Sequence, residues 1–142
     1  MTIYGNGYNT SERFLKFITK MEPYPYYRTE QLGIKDEVIN WCVFGKDEVK
    51  LVAKFCKDNN YILAVWARNR DEILQANDFG VNFILIEKDL LPQVQEFKQN
   101  PNFQSQFLLI VNSDENFTEF ENSGIDAMVI RSYLYDYDRD LN

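Results

Sequence analysis

From Glu37 to Arg131 the chain repeats one alternation, and that repeat limits its fold more than any other feature. The runs "VINWCVF", "YILAVWA", "VNFILIE", "QFLLIV" and "IDAMVIR" are nearly continuous in apolar residues. A strand with one wet face alternates apolar and polar positions, whereas a strand buried on both faces has no reason to alternate. Between the runs lie "DEVKLVAKFCKDNN", "RDEILQAND", "LLPQVQEFKQ" and "DENFTEFENS", which carry helical patterns. In the first of them Val49, Val52, Ala53 and Cys56 fall on one stripe of a helix. Strands alternating with helices in this way predict a parallel sheet with helices on both faces. The expected fold class is α/β, a doubly wound five-stranded parallel sheet.

The flanks read differently. "NTSERFLKFITKM" offers Asn9, Thr10 and Ser11 as N-caps and places Phe14, Phe17, Ile18 and Met21 at helical spacing, so a helix is predicted there. Pro23 and Pro25 in "EPYPYYRTEQLG" stop it, because proline cannot continue a helix and holds its predecessor extended. The chain thus divides into residues 1–36, a helix and a Tyr/Pro-rich strap packed on the core; residues 37–133, the α/β domain; and residues 134–142, an acidic tail. An internal echo links "AVWARNRDEILQANDFGVNFILI" to "LLIVNSDENFTEFENSGIDAMVI": strand, polar residue, Asp-Glu, helix, Gly, β-branched residue, Asn or Asp, strand. Asp71, Glu72 and Glu115 fit as helix first-turn residues, where carboxylates complement the positive end of the dipole.

Charge and residue usage narrow the function. The 142 residues are 45% hydrophobic and 26% charged, a globular composition, with a net charge of -7. Such a surface does not suit nucleic acid or an anionic membrane, both of which select basic faces. No apolar run approaches the roughly 20 residues of a membrane span, and the N-terminus has no apolar signal segment, so the cytoplasm is the expected location. Cys42 and Cys56 sit on apolar faces without CxxC spacing and read as buried thiols. The chain has no histidine, which removes His-based metal sites, Ser-His and Cys-His nucleophile pairs and the commonest general base. No cofactor, metal or catalytic residue is expected.

Residues at the carboxyl ends of the runs carry any chemistry an open α/β sheet performs. These are Lys46, Asp47 and Glu48; Glu87, Lys88 and Asp89; Asn112 and Ser113; and Arg131, Ser132 and Tyr133. The ending "SGIDAMVIRSY", the run "FILIEKDLLP" and the junction "CVFGKDE" together resemble the receiver domain of bacterial two-component response regulators, over Val38 to about Tyr133. The resemblance implies strand order 2-1-3-4-5, a magnesium ion held by acidic residues, and a phosphoacceptor aspartate after the third strand. This chain departs at each of those positions. Gly45-Lys46 or Lys46-Asp47 replaces the acidic pair, and a lysine there competes with the metal. Glu87 stands at the acceptor position, its extra methylene shifting the carboxylate from the in-line geometry of phosphoryl transfer. Asp89 is the local alternative. Asn112, with Ser113 beside it, replaces the family's hydroxyl residue, and Arg131 replaces its lysine. The expectation is a pseudo-receiver in which Glu87 pairs with Lys46 or Arg131 and closes the site. Because the tail lacks a helical stripe, the N-terminal helix is expected to stand where a receiver's fifth helix packs.

Function is then phosphorylation-independent signalling or protein interaction. The partner is a protein or a second copy in a homodimer, and Tyr133, Tyr135 and Tyr137 are candidate contact residues. The alternative is a nucleotide-sensing regulatory domain similar to those of potassium channels and transporters. "DEVKLVAKFCKDNNYILAVWARNRDEILQANDFGVNFILI" resembles the second half of that family. Against it, "GNGYNT" is the nearest approach to G-x-G-x-x-G, with a three-residue apolar lead-in. A small carboxylate enzyme using Asp47, Glu87 and Asp114 is a third reading.

Overall fold

The computed structural model describes residues 2–5, 14–17, 38–45 and 48–134. Its elements are β1 (Thr2–Tyr4), β2 (Phe14–Phe17), β3 (Val38–Val43), α1 (Val49–Asp58), β4 (Leu63–Trp66), α2 (Arg70–Asp78), β5 (Phe83–Ile86), α3 (Leu91–Lys98), β6 (Gln106–Val111) and β7 (Ala127–Ile130). A 3-10 turn, Lys88–Leu90, leads into α3, and residues 131–134 begin a helical turn after β7. All five predicted runs are strands. The fourth helical segment forms only a 3-10 turn, Phe117–Phe120, because Asn116 caps it at once and Phe120 is its one buried residue. A single buried side chain gives no apolar stripe to hold a longer helix.

Every strand in the described sheet is parallel to its neighbours, in the order β1-β7-β6-β5-β4-β3-β2. The α/β parallel-sheet class holds, but the expected order 2-1-3-4-5 is corrected. That order would seat β3 between β4 and β5, whereas β4 pairs with both β3 and β5. From β2 to β7 consecutive strands are neighbours, and β1 lies beside β7, so the order β2 to β7 has no reversal. Right-handed crossovers that never reverse keep their helices on one side of a sheet. Accordingly α1, α2 and α3 bury Val52, Ile73 and Val94 in one cluster with Cys42, Val65, Ile84, Leu109 and Met128.

The alternate strand residues form the other face: Tyr4, Ile39, Trp41, Ala64, Leu85, Leu108, Ile110, Ala127 and Val129. Ile39, Ala64, Leu85 and Leu108 have 0% exposure; α1, α2 and α3 contribute nothing to this cluster, whereas Leu134, in the helical turn after β7, belongs to it and is also at 0% exposure. The sheet curls. Chain order continues around the curl, with β1 beside β7 and with β1 and β2 as the two edges. Among the described residues this is the connectivity of a parallel barrel opened between its first and second strands.

Two N-terminal expectations change as well. Phe14–Phe17 is a strand beside β3 and not part of a helix, and Ile18, Met21 and the strap lie outside the described residues. The short apolar lead-in before "GNGYNT" is β1, bonded to β7. What is described of the N-terminal region is therefore part of the sheet.

The internal echo has a structural cause. Asn82 stands before β5, receives the Leu63 N–H on its side chain at 3.0 Å and donates its own N–H to the Leu63 carbonyl at 3.1 Å. Asp126 stands before β7 and does the same to Phe107, at 2.8 and 2.9 Å. Each clamps the start of the preceding strand and sets register.

Candidate functional site at the carboxyl rim

The carboxyl ends of β4 to β7 place Trp66, Arg68, Glu87, Lys88, Asn112 and Arg131 along one rim. The central contact joins two residues singled out by sequence: the Arg131 Nη2 donates to Glu87 Oε1. Arg131 follows β7 and Glu87 follows β5, so the guanidinium spans the end of β6. Both groups are partly exposed, 30% for Arg131 and 43% for Glu87. The Arg131 guanidinium also lies 6.0 Å from the Trp66 ring centroid, at the outer limit of cation–π attraction. Trp66 in turn packs on Trp41, centroids 6.1 Å apart and planes tilted by 45°. A stack thus runs from the inner face of the curl to the rim: Trp41, Trp66, Arg131, Glu87.

Glu87 therefore pairs with Arg131. Lys46 and Asp47 lie outside the described residues. Glu48 caps α1 through its backbone carbonyl, makes no side-chain cap bond and is exposed. Asp89 is exposed in the 3-10 turn before α3. Asn112 and Ser113 are exposed on the β6 exit loop. The Asn112 backbone N–H donates to Glu115 Oε1 at 2.9 Å, while Lys88 Nζ donates to Glu115 Oε2 at 2.6 Å. The Lys88 ammonium and that backbone bond hold the Glu115 carboxyl below its usual range.

Sequence reasoning missed the pair beside it. Arg68 donates its backbone N–H to Glu72 Oε1 at 2.8 Å and its guanidinium to Oε2, also at 2.8 Å. The Arg68 guanidinium lowers the Glu72 carboxyl against the opposing effect of burial. Glu72 and Glu115 thus share one role: each turns back to the N–H of the first polar residue after its strand. The repeated Asp-Glu was the available signal, but a glutamate capping a loop instead of its own helix leaves no separate trace in sequence. The actual cap of α2 is Asn69, whose side chain accepts from the Glu72 N–H at 3.0 Å.

Tyr133 is corrected as a contact residue. It is 7% exposed and sits in the helix-side cluster, because the turn after β7 folds it back under the sheet. Tyr135 and Tyr137 lie outside the described residues.

As chemistry, the rim is a set of compensated charges. Among the described residues no group of three Cys, Asp or Glu side chains could hold a metal ion, and no helix is long and apolar enough to cross a membrane. A cavity of about 540 Å³ lies at the other end of the strands. Compared with known proteins, the chain matches no family model and no curated relative.

Proposed function

We propose that this chain is a phosphorylation-independent protein-interaction domain whose contact surface is the carboxyl rim. The observation that carries the reading is the Arg131–Glu87 pair, which neutralises the carboxylate standing at the acceptor position. Partly exposed Trp66 beside Arg131 supports a contact surface, since tryptophan and arginine dominate interface hot spots. The net charge of -7 favours a protein over a polyanion as partner. The likeness to receivers is confined to local runs, because their strand order reverses and this one does not.

The test is to add magnesium and beryllofluoride, a phosphoryl mimic, and follow the backbone amides of Glu87, Asn112 and Arg131. The expected result is no saturable shift; saturable shifts at those amides overturn the proposal. A thermal-shift series with nucleotides addresses the regulatory-domain alternative, and a nucleotide-dependent rise in Tm would favour it. A homodimer through the rim is tested by sedimentation at rising concentration, with Trp66→Ala expected to dissociate it.

A further inference from the structure

At the amino ends of the strands, opposite the rim, is a cavity of about 540 Å³, within the size range of small-molecule sites. Its walls come from Ile62 before β4, the α2–β5 turn and the α3–β6 loop, and include Asn77, Asn82, Phe83, Asn102, Gln104 and Gln106. None of its lining residues is charged. A second cavity of about 270 Å³ adjoins it across Ile62, Gly80, Val81 and Asn82 and adds Tyr61 and Lys57, whose ammonium lies beside Gly80.

The orientation of two amides is forced. The Asn82 Oδ1 accepts the Leu63 N–H at 3.0 Å, and the Asn77 Oδ1 accepts the N–H groups of Gln104 and Ser105 at 3.0 and 3.2 Å. A backbone N–H can only donate, so oxygen must face it and the NH2 must point elsewhere. Neither Nδ2 has a hydrogen-bond partner among the described residues, and both side chains line the cavity. Two amides of fixed orientation are therefore among the lining residues, with the amides of Asn102, Gln104 and Gln106 around them.

The lining selects a ligand class. The lining of the larger cavity itself offers a phosphate or carboxylate no counter-charge, and the one cation beside it, Lys57 at Gly80, belongs to the adjoining cavity. An apolar molecule would strand the amides, each at about 1–3 kcal/mol. Hydroxyl groups, each one donor and two acceptor lone pairs, match amides that offer both functions. The half-buried Phe83 ring provides an apolar surface for a C–H face. We infer that this cavity is a binding site for a neutral mono- or disaccharide.

The experiment is a 15N amide-shift titration of the full chain with a panel of neutral mono- and disaccharides, with inorganic phosphate and a nucleoside as comparison probes. Saturable shifts for at least one saccharide, confined to residues 77, 80–83 and 102–106, are expected. Asn82→Asp keeps the acceptor for the Leu63 N–H, as Asp126 serves Phe107, but removes the donor. It should weaken that saccharide at least tenfold with an unchanged Tm. Gln106→Ala removes an exposed lining side chain outside those bonds and should weaken binding severalfold, so a folding defect in Asn82→Asp leaves the test intact. Glu87→Gln, at the other end, should leave affinity unchanged. No saturable shift across the saccharides, shifts elsewhere, preference for phosphate or the nucleoside, or affinity indifferent to both cavity variants overturns the assignment.

Discussion

At the scale of single residues, the pairing of Glu87 illustrates what a sequence conveys. That a carboxylate follows the third apolar run was legible, and so was a cation near it; which cation was not, because Arg131 reaches Glu87 only through the β5-β6-β7 order. Since both groups are partly exposed, Glu87→Gln should cost less than about 1 kcal/mol in urea denaturation, and a loss above about 3 kcal/mol would mark a buried pair instead. Glu72 has a pH signature. Its folded pKa is lowered by Arg68, so its contribution is present above the unfolded value of 4.5 and is lost as pH falls through the folded value. Glu72→Gln should therefore be less stable than the parent by about 1 kcal/mol at pH 7, and the gap in urea midpoints should shrink as pH falls below 4.5. Burial pushes the Cys56 thiol up to about 12 from 9.0. The sign is opposite: stability is full below the unfolded value and falls as pH rises toward the folded one. In the native protein Cys56 should resist iodoacetamide at about pH 8 and react once urea unfolds the chain.

At the scale of elements, helices were more legible than strand edges, and the reason is local. The α2 span Arg70–Asp78 coincides with the predicted segment, since its cap, first-turn acids and terminating glycine are adjacent in sequence. Both α1 and α2 end in the same motif: Tyr61 N–H donates to Cys56 and Asn60 N–H to Lys57, while Val81 N–H donates to Ala76 and Gly80 N–H to Asn77. The residue at the turn has positive φ in each, 61° at Asn60 and 77° at Gly80. Glycine takes that conformation freely, whereas a Cβ costs about 1–2 kcal/mol. Asn60→Gly should raise the unfolding free energy measured in urea by up to about 1 kcal/mol, and Gly80→Ala should lower it by about 1 kcal/mol or more. An unchanged Gly80→Ala would show that the turn relaxes. By contrast, "FLKF" was misread because its phenylalanine spacing of three fits one turn of helix, and a short apolar run does not separate helix from strand by periodicity. Pairing with β3, far away in sequence, decided it.

At the scale of the whole molecule, the parallel α/β class was legible because it follows from the alternation of strands and helices, which is local. Strand order was not, because it depends on which strand each crossover lands beside. The two orders differ most at the last strand. In the 2-1-3-4-5 arrangement it is an edge; here β7 lies between β6 and β1, with Thr2, Ile3 and Tyr4 registered against Ala127, Met128 and Val129. All four residues of β7 are buried, and Tyr4, at 6% exposure, belongs to the inner cluster. Deleting residues 1–5 should therefore uncover the ladder edge of β7 and open the inner cluster beside Ala127 and Val129. Loss of one large buried side chain, worth about 1.5–3 kcal/mol, and of ladder hydrogen bonds at about 1 kcal/mol each sets an expected destabilisation of roughly 2–4 kcal/mol in urea unfolding. A bare parallel edge also recruits other strands, so the truncated chain should self-associate in sedimentation where the intact chain at the same concentration sediments as a smaller species. If the truncated chain keeps its urea midpoint and its sedimentation behaviour, β7 is already an edge in solution and the open-barrel order fails where it departs most from a receiver.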